Sequence, residues 1–308
     1  MNKNKKTSFV FFGSGPVASK SLSLLTEHFD IEAIITKPST EQEMSAASPD
    51  TPVFCVSSKA ELDKLCTERA FKSTLGVLID FGIIVSKNVI QSFKKGIVNS
   101  HFSLLPQWRG ADPITFSILS GQEQTGVSLM LLVEKMDEGP LISVGVYDFK
   151  GDETTPELTS YLVQLSSTLL CDNLTRYAEG DTKPMPQIDF ARSLGYDTTP
   201  TYSRKLTKED GRLDWTKDAI QLEREVRAYA GWPKSFTKLG SIELTVTKCH
   251  VVEPDTIQNP SGKYAIWDKE LHIQCGHGIL SLDIVKPAGK KEMPIQAFLA
   301  GYAQKLSA

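Results

Sequence analysis

The sequence predicts an α/β protein in two parts, a doubly wound α/β domain followed by a small β-barrel. In the first 150 residues, short apolar runs such as SFVFFG and TLGVLID alternate with stretches of helical periodicity. Runs rich in Val, Ile and Phe without polar alternation are typical of parallel strands buried on both faces. Towards the C-terminus, four short apolar runs separated by turn residues indicate a barrel.

Each element of the first part follows from its own pattern. The strands are expected at SFVFFG, IEAIIT, PVFCV, TLGVLID and GIVNSHF, and helices at PVASKSLSLLTEHF and ELDKLCTERA. TGVSLMLLV and LISVGVYDF follow as later strands, in an antiparallel arrangement, and TPELTSYLVQLSSTLLCDNLTRYAEG is a long helix with an apolar stripe. In such a sheet, ligands bind at the carboxyl ends of the strands.

The second part begins after a change in composition. From about residue 181 the sequence is rich in Pro, Asp and Thr and has little periodicity, which is typical of a linker. A helix is expected at TKDAIQLEREVRAYA, and strands at IELTVTKCHVV, GKYAIWD, ELHIQCG and GILSLDIVKPAG. We therefore expect a first domain over 1–186, a linker over 187–205 and a second domain over 206–308.

Composition excludes several classes of protein. Of the 308 residues, 40% are hydrophobic and 23% are charged, as in ordinary globular chains. The longest apolar runs are about 12 residues and are interrupted by Asp80, so no segment is expected to span a membrane. Five cysteines without CxxC spacing fit reduced thiols better than a disulfide framework or a zinc site. We therefore expect a cytoplasmic protein.

Charge is distributed unevenly between the two parts. Residues 201–308 carry 16 Lys and Arg against 13 Asp and Glu, a net charge of +3, which leaves −6 on residues 1–200 given the total of −3. A basic C-terminal part permits contact with nucleic acid, although a chance imbalance explains the numbers equally well.

The segment FFGSGPVA after the first strand matches the beginning of a dinucleotide-binding fingerprint. Gly13 and Gly15 precede a predicted helix, as the fingerprint requires. An NAD site also requires an acidic residue at the end of the second strand, where this sequence has Lys37 and Pro38. A tight turn that brings the backbone close to some other ligand is the favoured interpretation.

A polar triad is expected at the ends of neighbouring strands. Asn99 and His101 lie two residues apart on a strand, so their side chains share a face. A histidine can transfer protons near neutral pH, and an asparagine amide can donate to a developing oxyanion. Asp137 lies in a turn after the strand TGVSLMLLV and supplies a carboxylate that could orient the imidazole. Each residue alone is more often structural, but the combination favours catalysis.

Together these motifs resemble the 10-formyltetrahydrofolate-dependent formyltransferases. The resemblance rests on NSHFSLLP (99–106), Arg109-Gly110, Pro113, Thr125-Gly126-Val127 and Asp137-x-Gly139. KLTKEDGRLDW, RAYAGWP and KPAGKKEM resemble the C-terminal half of the members that formylate methionine on initiator tRNA. The similarity covers nearly the whole chain.

The resemblance implies a fold, a reaction and a site. The fold would be a Rossmann-like formyltransferase domain, a linker and an OB-like barrel that helps to hold tRNA. Formyl would pass from the co-substrate 10-formyltetrahydrofolate, without a metal, to initiator methionyl-tRNA, and the protein would be a monomer. Asn99, His101 and Asp137 would be the catalytic residues. The co-substrate pocket would include Phe81, Gly82, Ile83, Ser103, Leu104, Leu105, Pro106 and Leu132.

The sequence departs from the family pattern at two places. The relatives that act on tRNA usually carry a long basic loop between the second and third strands, whereas residues 39–53 here contain no Lys or Arg. Glu41, Glu43 and Asp50 in that segment would repel phosphates. Lys135 and Pro140, near Asp137, replace Gly and Asp of the family pattern. We therefore expect the catalytic chemistry to be kept and the mode of tRNA recognition to differ from that of the family.

Several alternatives stay open at this point. A formyltransferase acting on a nucleotide-linked amino sugar, a formyltetrahydrofolate hydrolase and an NAD(P)-binding protein are the competing functions. Arg109 could contact the substrate or pair with an acidic neighbour. Trp108 fits packing better than base stacking. Lys286, Lys290 and Lys291, with Arg224 and Arg227 on one helix, could form a basic surface for tRNA.

Overall fold

A computed structural model of the protein describes residues 6–252 and 260–306. Two compact units divide these residues. The first unit contains residues 6–113, 124–148 and 159–203, and the second contains 114–123, 149–158 and the described part of 204–306. The predicted domain boundaries at residues 186 and 206 stay a prediction.

The first unit contains nine strands and most of the chain's helical residues among those described. Its strands are β1 (Ser8–Gly13), β2 (Asp30–Thr36), β3 (Val53–Cys55), β4 (Gly76–Ile79), β5 (Ile97–His101), β6 (Arg109–Gly110), β7 (Gln124–Leu131), β8 (Leu141–Asp148) and β9 (Tyr202–Ser203). Its helices are α1 (Pro16–Leu25), α2 (Glu41–Ala47), α3 (Lys59–Glu68), α4 (Lys87–Ser92), most of α6 (Thr155–Glu179) and α7 (Gln187–Ser193), whereas α5 (Pro113–Ser120) lies almost entirely in the second unit.

The main sheet of the first unit has seven strands in the order β3-β2-β1-β4-β5-β7-β8. Strands β1 to β5 pair in parallel, and β7 and β8 are antiparallel to their neighbours. This arrangement confirms the predicted Rossmann-like α/β fold and the antiparallel later strands. Because the parallel strands end at one edge, the loops after β1, β2, β4 and β5 all begin there.

Buried aromatic side chains support the sheet below that edge. Phe12 on β1 is fully buried, and its ring lies 5.8 Å from the ring of Phe81 and 5.7 Å from that of Phe93. Both pairs have the edge-to-face geometry that aromatic rings prefer. β5 is buried along its whole length. Asn99 and His101, which lie on this strand, are therefore buried as well.

Serine side chains cap the N-termini of α3 and α4. Ser58 accepts a hydrogen bond from the Glu61 N–H at the start of α3, and Ser86 accepts one from the Val89 N–H at the start of α4. Each hydroxyl satisfies a backbone donor that has no partner inside the helix. These local signals explain why both helices begin where they do after extended segments.

The acidic segment between β2 and β3 forms a helix. A short 3-10 turn over Pro38–Thr40 leads into α2, and the Met44 side chain is fully buried. Glu41 and Glu43 lie in the first turn, where negative charge is favoured by the helix dipole. This part of the chain is therefore folded against the first unit and does not extend from it as a basic arm.

The segment predicted as a linker contains regular structure. Residues 187–193 form α7, and Tyr202–Ser203 form β9, which pairs in parallel with β6. Both lie in the first unit. Periodicity did not reveal either element because α7 is short and β9 has only two residues.

The second unit contains an antiparallel sheet of six strands, as expected for the C-terminal part. Its elements are α8 (Ala219–Ala228), β10 (Ser235–Leu239), β11 (Ile242–Val252), β12 (Tyr264–Trp267), β13 (Glu270–Gln274), β14 (Ile279–Pro287), β15 (Met293–Pro294) and α9 (Ile295–Leu306). The strand order is β10-β11-β14-β13-β12, with β15 paired to β14. Leu222, Val226 and Phe298 pack in its core. Within the described residues, no helix is long and apolar enough to cross a membrane.

Burial of Met44 predicts that α2 contributes to stability. We expect Met44→Ala to lower the free energy of unfolding by about 2–5 kcal/mol, because the cavity left behind cannot fully close. Glu43→Ala, an exposed neighbour on the same helix, should change the free energy of unfolding by less than about 0.5 kcal/mol. Urea unfolding of the two variants measures the difference, and equal values would show that α2 is not docked.

Candidate active site

Asn99 and His101 lie at the carboxyl end of β5, as the sequence predicts. Both side chains are more than nine-tenths buried. In the sheet, Asn99 pairs with Leu78 of β4 and Met130 of β7, and His101 pairs with Ser128 of β7. The Asn99 amide has no side-chain hydrogen bond within the part of the chain that the structure describes. Its donor and acceptor groups are therefore available to a ligand.

Both ring nitrogens of His101 face polar groups. Nε2 lies 2.9 Å from the carbonyl oxygen of Trp108, and Nδ1 lies 3.8 Å from Oδ2 of Asp137. A carbonyl oxygen can only accept, so Nε2 carries a hydrogen in this arrangement. When Nδ1 is protonated as well, the ring and Asp137 form an ion pair at a distance longer than a hydrogen bond.

Asp137 is held in place by a neighbouring loop. Its side chain is nine-tenths buried, and Oδ2 accepts a hydrogen bond of 2.8 Å from the Gly110 N–H. The backbone of Asp137 has a φ of 52°, in the left-handed region that non-glycine residues rarely adopt. The structure thus brings together the three residues that the sequence predicts, from β5 and from the connection between β7 and β8.

Strained backbone is concentrated on the loops around this site. Asp80, Trp108 and Asp112 have φ values of 48°, 56° and 56° and accompany Asp137 in the left-handed region. Within the described part of the first unit, these four are the non-glycine residues with positive φ. Such strain persists only where surrounding contacts enforce it, and it is found preferentially at functional sites.

The loop after β5 is fixed by hydrogen bonds to β7 and β9. The Ser128 hydroxyl donates to the Ser103 carbonyl at 2.7 Å and accepts from the Leu105 N–H at 3.0 Å. The Trp108 N–H donates to the Thr201 hydroxyl at 2.9 Å. The loop is therefore a rigid wall beside His101.

Residues expected in the co-substrate pocket fall into two groups. Those on the rigid loop are buried: Ser103, Leu104, Leu105 and Pro106. The Ser103 hydroxyl donates to the Gln107 carbonyl, so its polar group is satisfied internally. Leu132 packs against the cluster that contains Phe81 and Ile83 and also against the cluster that contains Leu105. Leu132 therefore links the two groups.

Three exposed apolar side chains lie in or directly beside the segments expected to line the pocket, 81–83 and 132–137. Ile84 and Met136 are 70% and 68% exposed, and Val133 is 37% exposed. The loops that carry them are joined by an ion pair between Lys87 and Glu134, with 3.7 Å between the charged atoms. Exposed apolar side chains grouped at a ligand edge indicate a binding surface.

Arg109 pairs with protein groups rather than with an open cleft. The guanidinium donates two hydrogen bonds to Oε1 of Gln187, at 3.1 and 2.7 Å, and lies 3.6 Å from a carboxylate oxygen of Glu138. Of the two alternatives for Arg109, the structure favours pairing with an acidic neighbour. Gln187 was not predicted, because it lies in the segment interpreted as a linker.

The turn after β1 places a charged pair beside the edge. The Ser14 hydroxyl donates to the carbonyls of Asp80 and Phe81, and Gly15 has a φ of 92°. Burial raises the pKa of the Asp80 carboxyl, and the nearby Lys37 ammonium opposes that shift. A cation at the end of β2, where an NAD site needs an acid, counts against dinucleotide binding.

One residue of the basic surface expected on the second unit, Arg227, is paired within the protein. Arg227 forms a two-point ion pair with Glu223 and donates to the carbonyl of Glu153, and its side chain is only 16% exposed. Because its donors are used within the protein, the structure favours a structural role for Arg227, and its contact with tRNA stays a prediction. Lys286, Lys290 and Lys291 are exposed.

Comparison with known families identifies two matching segments. Residues 9–174 match the formyl transferase family, and residues 205–303 match the formyl transferase C-terminal domain. Among curated relatives, the methionyl-tRNA formyltransferase of Pseudoalteromonas translucida is 30% identical over 95% of this chain and 93% of its own length. That of Myxococcus xanthus is 32% identical over 95% and 94%.

Solved structures with a similar fold are more distant in sequence. An N-formyltransferase from Helicobacter canadensis, in complex with folinic acid and dTDP-3-aminofucose, has a TM-score of 0.67 at 15% identity and covers 94% of this chain and 100% of its own. HypX from Aquifex aeolicus, in complex with tetrahydrofolic acid, has a TM-score of 0.62 at 16% identity over 96% of this chain and 47% of its own.

Close contact between Gly110 and Ser203 predicts a steric limit at the site. A Cβ on Gly110, which has a φ of 109°, would overlap the Ser203 carbonyl oxygen. Gly151 has a φ of 102° but nothing within 4 Å of such a Cβ. We expect Gly110→Ala to lower the free energy of unfolding by about 1–3 kcal/mol more than Gly151→Ala. Chemical denaturation of both variants tests this, and equal losses would mean that β9 does not constrain the loop.

Proposed function

The chain belongs to the formyl transferase family, and on that premise we propose that it transfers a formyl group from 10-formyltetrahydrofolate to the α-amino group of methionine on initiator methionyl-tRNA, for translation initiation. The observation that carries the proposal is the grouping of Asn99, His101 and Asp137 at one strand end. His101 lies between the carbonyl of Trp108 and the carboxylate of Asp137. Full-length similarity to the methionyl-tRNA enzymes supports the choice of acceptor.

The reaction requires one bond to form and one to break. The methionine nitrogen attacks the formyl carbon, negative charge develops on the formyl oxygen, and the bond from that carbon to N10 of the folate then breaks. The amine loses one proton and N10 gains one. Groups that stabilise the oxygen and move the protons therefore determine the rate.

Asn99 is suited to stabilise the formyl oxygen. Its amide is buried at the strand end and has no side-chain partner within the described residues, so it can donate without first breaking a bond in the protein. His101, whose Nε2 donates to Trp108, supplies positive charge beside the same oxygen when it is protonated. Preorganised donors and charges of this kind cost no reorganisation during the reaction.

Asp137 is suited to accept the proton that the amine releases. One carboxylate oxygen, Oδ2, is held by Gly110 and faces His101. The carboxylate can therefore stabilise a charged imidazole and, through a water molecule, take the proton from the attacking nitrogen. Both roles need the carboxylate to be ionised when the amine attacks.

The two substrates would occupy different surfaces. We place the folate against the exposed apolar side chains of Ile84, Val133 and Met136, beside Leu132. Exposed Lys286, Lys290 and Lys291 are the basic side chains proposed to contact the tRNA backbone. The resemblance implies a basic loop between β2 and β3 for this purpose, and in this chain that segment contains α2 with acidic residues in its first turn.

The protein is proposed to act as a monomer in the cytoplasm. Translation initiation takes place there, and the free cysteines in the described part of the chain agree with a reducing compartment.

A second acceptor deserves a direct comparison, because α2 presents acidic residues where a tRNA phosphate contact is usual. A nucleotide-linked amino sugar also offers a neutral amine to a formyl donor. Single-turnover assays with excess enzyme and 10-formyltetrahydrofolate should be run with charged initiator methionyl-tRNA, with an amino-sugar nucleotide and with water alone. Formylmethionine as the product supports the proposal. Formylated sugar would show that the acceptor is the amino sugar instead of tRNA. Formate released without either acceptor would show that the acceptor is water.

Asn99→Ala should slow formyl transfer by about 10²–10³-fold, because one donor to the developing oxyanion is lost. Ser100→Ala is the matched control on the same strand. Ser100 is buried, faces the other side of the sheet and bonds to the Ser166 hydroxyl. It should leave the single-turnover rate unchanged. A rate for Asn99→Ala equal to that of the control would remove Asn99 from the proposed mechanism.

A further inference from the structure

Gln187 contacts the backbone of Asp137 and of the turn that follows it. It is the first residue of α7 and only 4% exposed. Its side-chain Nε2 donates to the carbonyl of Asp137 at 2.7 Å and to that of Gly139 at 2.9 Å. Its Oε1 accepts the two hydrogen bonds from Arg109. One amide group thus makes four buried hydrogen bonds.

These bonds connect the two loops that meet at the candidate site. The carbonyls belong to the connection between β7 and β8, and Arg109 precedes Gly110, whose N–H holds the Asp137 carboxylate. Asp137 and Gly110 are the two residues that form the carboxylate contact, and Gln187 therefore bonds both to Asp137 and to the neighbour of Gly110. The Asp137 backbone is in the left-handed region, a conformation that needs external support in a non-glycine residue.

We propose that Gln187 is a positioning residue that holds the Asp137 carboxylate against Gly110 and beside His101. The proposal rests on the proposed function for its kinetic consequence, but not for its structural one. Gln187 lies between the two segments that match family models, 9–174 and 205–303. Its place in the site therefore follows from the contacts of this chain alone.

The geometry also separates two contributions of Gln187. Its donors hold the two carbonyls, and its acceptor holds Arg109. Gln187→Met keeps the size of the side chain and removes both contributions. Gln187→Glu keeps the acceptor for Arg109 and replaces the donor with a carboxylate oxygen that repels the carbonyls. Comparison of the two substitutions shows whether the hydrogen bonds to the two carbonyls position Asp137.

Gln274 provides a matched control in the second unit. It is 8% exposed, and its Nε2 donates to the carbonyls of Cys275 and Gly278 at 3.3 and 3.2 Å. Gln274→Met therefore also removes a buried amide that donates to two backbone carbonyls. Gln274 belongs to the second unit, whereas the candidate active site lies in the first, so a loss of stability is the effect that both substitutions share.

Kinetic measurements test the consequence for transfer. We expect Gln187→Met and Gln187→Glu to lower the maximal rate of methionyl-tRNA formylation by about 10²-fold, since small displacements of a catalytic group have effects of this size. KM for tRNA and folate should change by less than about threefold, because Gln187 is buried and its amide bonds to protein groups. Gln274→Met should leave both parameters unchanged. A maximal rate equal to that of wild type in either Gln187 variant would overturn the proposal.

Hydrogen exchange tests the same proposal without a substrate. The Gly110 N–H is protected by its bond to Asp137, and exchange of peptides that span residues 105–112 can be followed by mass spectrometry. We expect faster exchange in both Gln187 variants and no change in Gln274→Met. If wild type fails to formylate tRNA while this exchange still accelerates, the proposed acceptor is wrong and the positioning role holds. Unchanged exchange, with wild type active, would overturn the positioning role; if Gln187→Met does not fold, Gln187→Glu gives the same comparison.

Discussion

The short contact between the Asp137 carboxylate and the Gly110 N–H is the constraint on which the candidate site depends. A buried carboxylate is costly unless hydrogen bonds and charge compensate for the lost water. Here one oxygen of Asp137 receives the Gly110 N–H at 2.8 Å and faces His101 at 3.8 Å. To make this contact, the chain holds Asp137 at a φ of 52° and brings it to Gly110, which lies 27 residues earlier in the sequence.

The parallel sheet performs the first part of that task. Because β1, β2, β4 and β5 end at one edge, the polar residues that follow them lie close together without long loops. Antiparallel β7 then returns beside β5 and fixes His101 opposite Ser128. The segment after α6 performs the second part, since α7 and β9 bond to the loop that carries Arg109 and Gly110. Residues 187–203 are therefore part of the site, because they bond directly to the loop that borders it.

Much of this could be predicted from the sequence. The spacing of Asn99 and His101 on an apolar strand predicted their shared face, and the alternation of strands and helices predicted the sheet. Gln187 could not be predicted, since its partners Arg109 and Asp137 lie 78 and 50 residues away and no periodicity marks it. The helix α2 could not be predicted for a related reason. Met44 is its single buried residue, and one residue does not make an apolar stripe. Long-range polar contacts and one-residue anchors depend on tertiary structure that local pattern does not record.

The central claim is that an ionised Asp137 beside His101 drives formyl transfer. Asp137→Asn tests it most directly, because the amide oxygen can still accept the Gly110 N–H while the charge is removed. Single-turnover transfer from 10-formyltetrahydrofolate to charged initiator methionyl-tRNA should slow by about 10³-fold in this variant, with tRNA binding unchanged. Transfer within about threefold of the wild-type rate would contradict the account and leave Asp137 with a structural role only.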